Sequence, residues 1–150
     1  MLLYRISKSI YANELRASGQ ENRWNSNGNM VIYAASSLSL ACLEVVVNTS
    51  NNLLITQNFC SVIIDITEET GVTIAGLDTL PENWKEREQK SYTQRIGDDW
   101  YNKQETLLLR VPSAIINTEY NYLINTKHPD FNKVSIAQVD NFMFDKRIKS

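Results

Sequence analysis

An apolar helix that carries one acidic residue is the feature that most constrains the fold of this chain. Either Ser36 or Ser37 can serve as its N-cap. Apolar residues follow at the helical spacing i, i+3, i+4 and i+7, at Leu38, Ala41, Cys42 and Val45. On a wheel of 3.6 residues per turn, Glu44 lies about 40° from Leu40. The pattern therefore predicts an amphipathic helix with a carboxylate at its edge, away from the fully solvated face.

A cation and an aromatic residue precede this helix in the sequence, and both have apolar neighbours. Arg23 lies beside Trp24, and Tyr33 lies within the run Val-Ile-Tyr-Ala-Ala. Burial of a charge is costly unless the charge is paired, so such positions call for an explanation. Taken singly, Glu44 could pair with an arginine of the chain, and Arg5 or Arg23 could form a surface salt bridge. Together, Arg23, Tyr33 and Glu44 indicate a functional cleft.

Several ordered motifs carry a resemblance to a known family. They read Arg-Trp-Asn at 23–25, Val-Ile-Tyr-Ala at 31–34 and Ser-Leu-Ser-Leu-Ala-Cys-Leu-Glu-Val at 37–45. Further along come Leu-Arg-Val-Pro-Ser-Ala-Ile-Ile at 109–116, Asn-Tyr-Leu-Ile-Asn at 121–125 and His-Pro-Asp-Phe at 128–131. In this order they resemble the RES domain family, named for its Arg, Glu and Ser. The resemblance runs from Arg5 to Phe131 and covers nearly the whole chain.

The resemblance implies a fold, a partner and a set of site residues. The expected fold is α+β, a single ADP-ribosyltransferase-like domain over residues 1–150 with a mixed, split β-sheet flanked by helices. Such proteins act on NAD⁺, usually as the toxin of a bacterial toxin–antitoxin pair. The expected partner is a helical DNA-binding antitoxin that covers the entrance of the active site. The residues that match the family's functional positions are Arg5, Arg23, Tyr33, Glu44 and Ser113. One departure is Asn48, where many members have histidine.

The expected chemistry is cleavage of the bond between nicotinamide and ribose. Glu44 is expected to stabilise the positive charge that develops on the ribose, and Tyr33 to wall the nicotinamide pocket. Arg5 and Arg23 are expected to hold the pyrophosphate, and Ser113 to hydrogen-bond the ribose or the carboxamide. Glu44, Arg23 and Tyr33 form the expected catalytic set, without a metal ion. Water, phosphate or a protein side chain can each be the acceptor, and a non-catalytic partner-binding module is the alternative class.

Composition excludes several other classes. A net charge of −2 offers no general attraction to nucleic acid or to anionic membranes. Neither a GxGxxG nor a GxxxxGK[ST] motif is present, and the chain has only 5 glycines, so phosphate groups would have to be bound by side-chain cations. A single histidine argues against a zinc site, and Cys42 and Cys60 suit free thiols in the cytoplasm. No stretch is apolar enough to span a membrane, and apolar strands allow a homodimer.

The remaining pattern predicts mixed α and β structure. Strands are expected at 2–6, 31–34, 61–66, 72–75, 106–111 and 134–139. Helices are expected to begin within 80–85 and to span 92–101. A turn at 25–29, with Gly28 at positive φ, is expected to form a hairpin-like connection flanked by Arg23 and Tyr33. Residues 48–52 are expected to form a loop, and His128 to lie in a turn.

Overall fold

Seven strands form one mixed sheet in a computed structural model that describes residues 1–67 and 69–149. The strands are β1 (Leu2–Lys8), β2 (Val31–Ala35), β3 (Phe59–Ile66), β4 (Val72–Ile74), β5 (Leu108–Pro112), β6 (Tyr120–Asn125) and β7 (Val134–Phe142). The helices are α1 (Leu38–Asn48), α2 (Asn51–Thr56) and α3 (Lys90–Lys103). Short 3₁₀ helices lie at Ser9–Tyr11, Leu77–Thr79, Arg87–Gln89 and Pro129–Lys133. The strand order is β4-β5-β6-β2-β1-β3-β7.

The sheet divides between β1 and β2. These two strands share only the register position Tyr4↔Ala35, whereas β1 pairs with β3 along its whole length and β2 with β6. One half of the sheet is therefore β4-β5-β6-β2 and the other is β1-β3-β7. Neighbouring strands are antiparallel except β4 and β5, which are parallel. The predicted mixed, split sheet is confirmed.

Helix α1 lies beside the split and begins as predicted. The Ser37 hydroxyl accepts a hydrogen bond from the Leu40 amide at 3.1 Å, which satisfies one of the free N–H groups of the first turn. Its buried residues pack with Ile6 of β1 and Phe59 of β3 in one apolar cluster. The buried residues of α1 are Leu40, Ala41 and Val46. Burial of this face fixes the helix at the point where the two half-sheets separate.

Helix α3 packs against the irregular segment that precedes β2. It extends beyond the predicted 92–101 at both ends and contains Gly97 in its interior. A Cβ atom at this position would lie 1.6 Å from the Trp24 carbonyl oxygen. Glycine is therefore required for the close approach of the two backbones, despite its cost in a helix.

Three of the predicted elements are wrong. No helix begins within 80–85, because Trp84 and Glu86 each donate a backbone hydrogen bond to the residue three positions earlier, Pro81 and Asn83 respectively, as in isolated turns. Trp84 is buried in this segment, and its ring lies 5.8 Å from that of Trp24. One buried apolar residue does not provide the apolar face that an amphipathic helix requires. The loop expected over 48–52 is shorter, since α1 includes Asn48 and α2 begins at Asn51.

The third error concerns the connection between Arg23 and Tyr33. Gly28 does have a φ of 96°, as predicted, but no hairpin forms because β2 pairs with β1 and β6. The segment that carries Arg23 is irregular, with an isolated bridge between Asn22 and Asn25. The sequence pattern also missed β6, although this strand lies between β5 and β2 in the sheet. All six predicted strands are present, with ends that differ by at most three residues. His128 caps the 3₁₀ turn at Pro129–Lys133.

No helix among residues 1–67 and 69–149 is long and apolar enough to cross a membrane. Cys42 and Cys60 are free thiols, and burial raises the pKa of the Cys42 thiol.

Candidate active site

A cleft of about 1120 Å³ opens where the sheet splits. Four of the five residues singled out from the sequence line it. Arg5 comes from β1, Tyr33 from β2, Glu44 from α1, and Arg23 from the irregular segment before β2. The structure therefore brings together residues that lie up to 39 positions apart in the chain, at the place where β1 and β2 separate.

One oxygen of the Glu44 carboxylate is held from two sides. Oε1 accepts a hydrogen bond from Ser113 Oγ at 2.9 Å and another from Asn121 Nδ2 at 2.7 Å. No hydrogen bond from residues 1–67 or 69–149 ends on Oε2, and no Lys or Arg of these residues forms an ion pair with Glu44. Hydrogen bonds to an ionised group are stronger than those between neutral groups. The side chain is thus fixed through one oxygen while the other remains available to a ligand.

Ser113 lies behind Glu44 and is fully buried, with 0% of its surface exposed. Its hydroxyl accepts hydrogen bonds from the Ile115 and Ile116 amides at 3.0 and 3.1 Å and donates its proton to Glu44. A hydroxyl has one donor and two acceptor sites, so its bonding capacity is used in full. This differs from the expectation that Ser113 contacts the ligand, because the geometry makes it a support for the carboxylate.

Asn121 is a site residue that the sequence analysis did not select. It lies on β6 opposite Ala35 of β2 and Val111 of β5, and it lines the cleft. Asn121 opens the Asn-Tyr-Leu-Ile-Asn motif at 121–125, and its place in that motif was the available signal. The motif supported the resemblance, but without a predicted strand at β6 nothing placed Asn121 near Glu44.

The Tyr33 side chain is tied to the segment that carries Arg23. Its hydroxyl donates to Asn25 Oδ1 at 2.5 Å and accepts from the Trp24 amide at 3.3 Å. Burial raises the pKa of the Tyr33 phenol well above its usual range, with a smaller opposing contribution from the Trp24 amide. The phenol is therefore neutral, and the half-buried ring presents a fixed aromatic surface to the cleft.

Arg5 and Arg23 bring positive charge to the cleft. Within the described residues, no ion pair is formed by Arg5 or Arg23, so the surface-salt-bridge alternative does not apply. Arg23 Nη1 donates to the Lys85 carbonyl at 3.0 Å, and its guanidinium lies 5.7 Å from the Trp84 ring centroid. Burial lowers the pKa of the Arg5 guanidinium. Two cations without a counter-charge make the cleft suited to an anionic ligand.

The residues that line the cleft carry a net positive charge, like Arg5 and Arg23 themselves. Lysines and arginines outnumber acidic residues in its lining, although the chain carries a net charge of −2. No group of three His, Cys, Asp or Glu residues in the described parts of the chain is arranged to hold a metal ion. Asn48, which departs from the family's usual histidine, donates to the Glu44 carbonyl at 2.8 Å. At the end of α1, Lys149 Nζ donates to the Val46 and Thr49 carbonyls at 2.9 and 2.8 Å.

The split mixed sheet flanked by helices is the α+β, ADP-ribosyltransferase-like fold that the resemblance implied. The same fold occurs in the crystal structure of the M. tuberculosis MbcT–MbcA toxin–antitoxin complex, with a TM-score of 0.76 and 17% identity over 95% of this chain and 84% of that one. A family model described as the RES domain matches residues 2–145. The chain therefore belongs to the RES domain family.

Three named relatives align with this chain over almost its whole length and over almost the whole of their own. The chain is 34% identical to "Toxin Res" of Photorhabdus laumondii, over 99% of this chain and 97% of that protein. It is 35% identical to "Toxin Res" of Yersinia enterocolitica, over 99% and 100%. It is 33% identical to "Prs ADP-ribosylating toxin" of a Sphingobium species, over 95% and 91%.

Proposed function

We propose that this chain is the toxin of a bacterial toxin–antitoxin system and that its cleft binds NAD⁺ and cleaves the nicotinamide–ribose bond. The observation that carries the proposal is the way in which the Glu44 carboxylate is held in the cleft. One of its oxygens is anchored by Ser113 and Asn121, and it lines the same cleft as Arg5 and Arg23. Homology to named toxins over almost the whole chain supports the biological role.

The chemistry of the cleft fits a dinucleotide without a glycine-rich loop. Guanidinium groups match phosphate oxygens in a forked geometry, so Arg5 and Arg23 hold the pyrophosphate. The Tyr33 ring walls the nicotinamide pocket, and its neutral hydroxyl is already bonded to Asn25. These contacts orient the ribose toward Glu44.

The carboxylate acts on the charge that forms during bond cleavage. When the C–N bond breaks, its electron pair passes to the pyridinium nitrogen, and nicotinamide leaves as a neutral molecule. Positive charge develops on the ribose, as in other glycosyl transfers. Glu44 Oε2 accepts a hydrogen bond from a ribose hydroxyl, and this interaction strengthens as the charge grows, so it stabilises the transition state more than the ground state. An acceptor then bonds to C1′ of the ribose.

Ser113 and Asn121 serve the same step indirectly. A carboxylate that rotates during the reaction loses part of its electrostatic benefit, because the benefit depends on preorganisation. Two hydrogen bonds to Oε1 hold the side chain in one orientation. Glu44, Arg23 and Tyr33 thus form the proposed catalytic set, and Arg5, Arg23 and Tyr33 contact NAD⁺.

The acceptor distinguishes two candidate functions, transfer of ADP-ribose to a small molecule, either water or phosphate, and transfer to a protein. Water yields ADP-ribose and makes the protein an NAD⁺ glycohydrolase, whereas inorganic phosphate makes it a phosphorylase. A protein side chain makes it an ADP-ribosyltransferase, and the similarity to a relative named "Prs ADP-ribosylating toxin" favours this second candidate. All three use the same anchored carboxylate.

The proposal includes a partner and an assembly. The structural neighbour was crystallised as a toxin–antitoxin complex, which supports a cognate antitoxin as the partner. We propose that this antitoxin covers the entrance of the cleft. We expect that antitoxin to be helical and to bind DNA. A homodimer would pair one of the outer strands, β4 or β7, with its copy. Residues 1–150 would then act as one RES domain in each subunit.

The first experiment compares the purified wild-type chain, freed of antitoxin, with the variant Glu44→Gln. Gln retains an oxygen that can accept from Ser113 and Asn121, so the fold should be preserved while the charge is lost. We expect wild type to consume NAD⁺ and the variant to be slower by a factor of 100 or more, corresponding to about 3 kcal/mol. Thermal unfolding checks that both are folded. Full turnover by the variant would remove the assigned role of Glu44.

The second experiment identifies the acceptor and tests the alternative of a non-catalytic binding module. Products from NAD⁺ are analysed by mass spectrometry with and without phosphate, and added proteins are examined for a gain in mass of one ADP-ribose. Expression without the antitoxin should arrest growth for wild type and not for Glu44→Gln. A binding module would leave NAD⁺ intact in every arm.

A further inference from the structure

Four consecutive backbone carbonyls on the Arg23 segment face helix α3. The carbonyls of Asn22 and Asn25 both accept from Gln94 Nε2, at 2.9 and 3.1 Å. The Arg23 carbonyl accepts from Thr93 Oγ1 at 2.6 Å, and the Trp24 carbonyl lies over Gly97. An irregular segment would normally direct such groups to water. Here residues 22–25 are held along one helix face.

Thr93 is the buried centre of this arrangement. Its exposed surface is 0%, and its hydroxyl has a second acceptor in the Lys90 carbonyl at 3.1 Å, the usual bond of a helical threonine. The shorter bond is the one to Arg23. The residue that carries the cleft guanidinium is therefore fixed by its own backbone, while its side chain extends across the Trp84 ring.

The next turn of α3 continues the same interface. Asp98 accepts from the Ser26 amide at 2.9 Å, from the Ser26 hydroxyl and from Asn29 Nδ2 at 2.7 Å. Tyr101 follows, and its hydroxyl accepts from the Met30 amide at 3.2 Å. The five residues occur at spacings that place them on one side of a helix, at 93, 94, 97, 98 and 101. None of them lines the cleft.

We infer that Thr93 and Gln94 are positioning residues that set the place of Arg23 in the cleft through its backbone. The inference rests on the proposed function, in which Arg23 holds the pyrophosphate of NAD⁺. It assigns α3 a role in substrate binding although its interface residues do not touch the substrate. Loss of the Thr93 hydroxyl should weaken NAD⁺ binding in ground and transition states alike, which raises KM and leaves kcat nearly unchanged.

The test uses Thr93→Val, which keeps the shape and removes the donor, and Thr93→Ser, which keeps the donor. Thr56→Val is the matched control, because Thr56 Oγ1 on α2 donates to the Asn52 carbonyl within the same helix at an exposed position. We expect Thr93→Val to raise KM for NAD⁺ by about fivefold, as for loss of one hydrogen bond, and Thr93→Ser to restore most of it. Thr56→Val should leave KM unchanged.

A double-mutant cycle asks whether the effect passes through Arg23. In the Arg23→Ala background, Thr93→Val should raise KM no further, since the group that it positions is absent. An equal rise in both backgrounds would overturn the inference, as would an unchanged KM in the single variant. A purely structural role would lower the melting temperature without changing KM of the folded protein.

Hydrogen exchange separates this inference from the proposed function. The amides of Trp24, Asn25 and Ser26 are hydrogen-bonded within this region, and they should exchange faster in Thr93→Val than in Thr56→Val. This readout needs no NAD⁺. Faster exchange together with a wild type that does not consume NAD⁺ would reject the proposed function and retain the ordering of the segment by Thr93. Unchanged exchange would reject the inference even if wild type consumes NAD⁺.

Discussion

The acidic and the cationic sides of the cleft are held in different ways. Glu44 lies on a regular helix, and its side chain is fixed by Asn121 of β6 and by Ser113, the residue that follows β5. Arg23 lies on an irregular segment, and α3 fixes the backbone there. The guanidinium itself makes one hydrogen bond, to a carbonyl.

This difference matches the demands of the two roles. A group that stabilises a transition state must not reorient as charge develops, so its own side-chain atoms are restrained. A residue that binds a flexible pyrophosphate needs a fixed backbone and a charged group that can adjust its position. A restrained backbone with a long arginine side chain provides both. The comparison predicts that changes on the acidic side lower kcat, whereas changes on the cationic side raise KM.

The largest expected effect in this comparison comes from the supports of Glu44. Ser113→Ala and Asn121→Ala each remove one hydrogen bond to an ionised group, worth about 2 kcal/mol, so we expect kcat to fall by about 30-fold in each. KM should change little. Steady-state kinetics of NAD⁺ consumption provide the measurement.

The same pair also separates catalysis from stability. Ser113→Ala leaves the partly buried Ile115 and Ile116 amides without the acceptor they have in the wild type, so it should lower the melting temperature more than Asn121→Ala. If kcat followed the melting temperature rather than the loss of a bond to Glu44, the acidic side would be structural, and the comparison would fail.

A smaller effect is expected from Arg5 on the opposite side. Arg5→Gln removes a cation that has no carboxylate partner within the described residues, and we expect KM for NAD⁺ to rise about tenfold with kcat nearly retained. Because screening weakens charge interactions, salt should raise KM of wild type more than KM of the variant. The control is Arg16→Gln, which removes an exposed cleft arginine already paired with Glu14 at 3.4 Å. A fall in kcat without a change in KM would contradict the assignment of Arg5 to binding.

The sequence was informative where structure depends on nearby residues. The N-cap, the spacing of apolar residues and the edge position of Glu44 are local properties of α1, and the helix begins at the predicted cap. The expected meeting of Arg5, Arg23, Tyr33 and Glu44 came from ordered family motifs, and these four residues do share one cleft. Their roles remain proposals.

Other features depend on contacts between distant parts of the chain. β6 was missed because its Tyr-Asn-Tyr start does not read as a buried strand until β2 and β5 pair on either side of it. Asn121 was missed with it. The full use of the Ser113 hydroxyl depends on the turn after Pro112, and the carbonyls of residues 22–25 face a helix some 70 positions later in the chain. No local spacing encodes these contacts.

The smallest effect concerns the helix that carries Glu44. Ser37→Ala removes the N-cap of α1 and should cost about 1 kcal/mol of stability, which lowers the melting temperature by a few degrees. Ser50→Ala removes the corresponding cap of α2, where Ser50 Oγ accepts from the Leu53 amide at 3.4 Å, and α2 contributes no cleft residue. If regular structure fixes the acidic side, Ser37→Ala should also lower kcat slightly, while Ser50→Ala changes only the melting temperature. Equal kcat in both variants would mean that Ser113 and Asn121 hold Glu44 without help from the start of its helix.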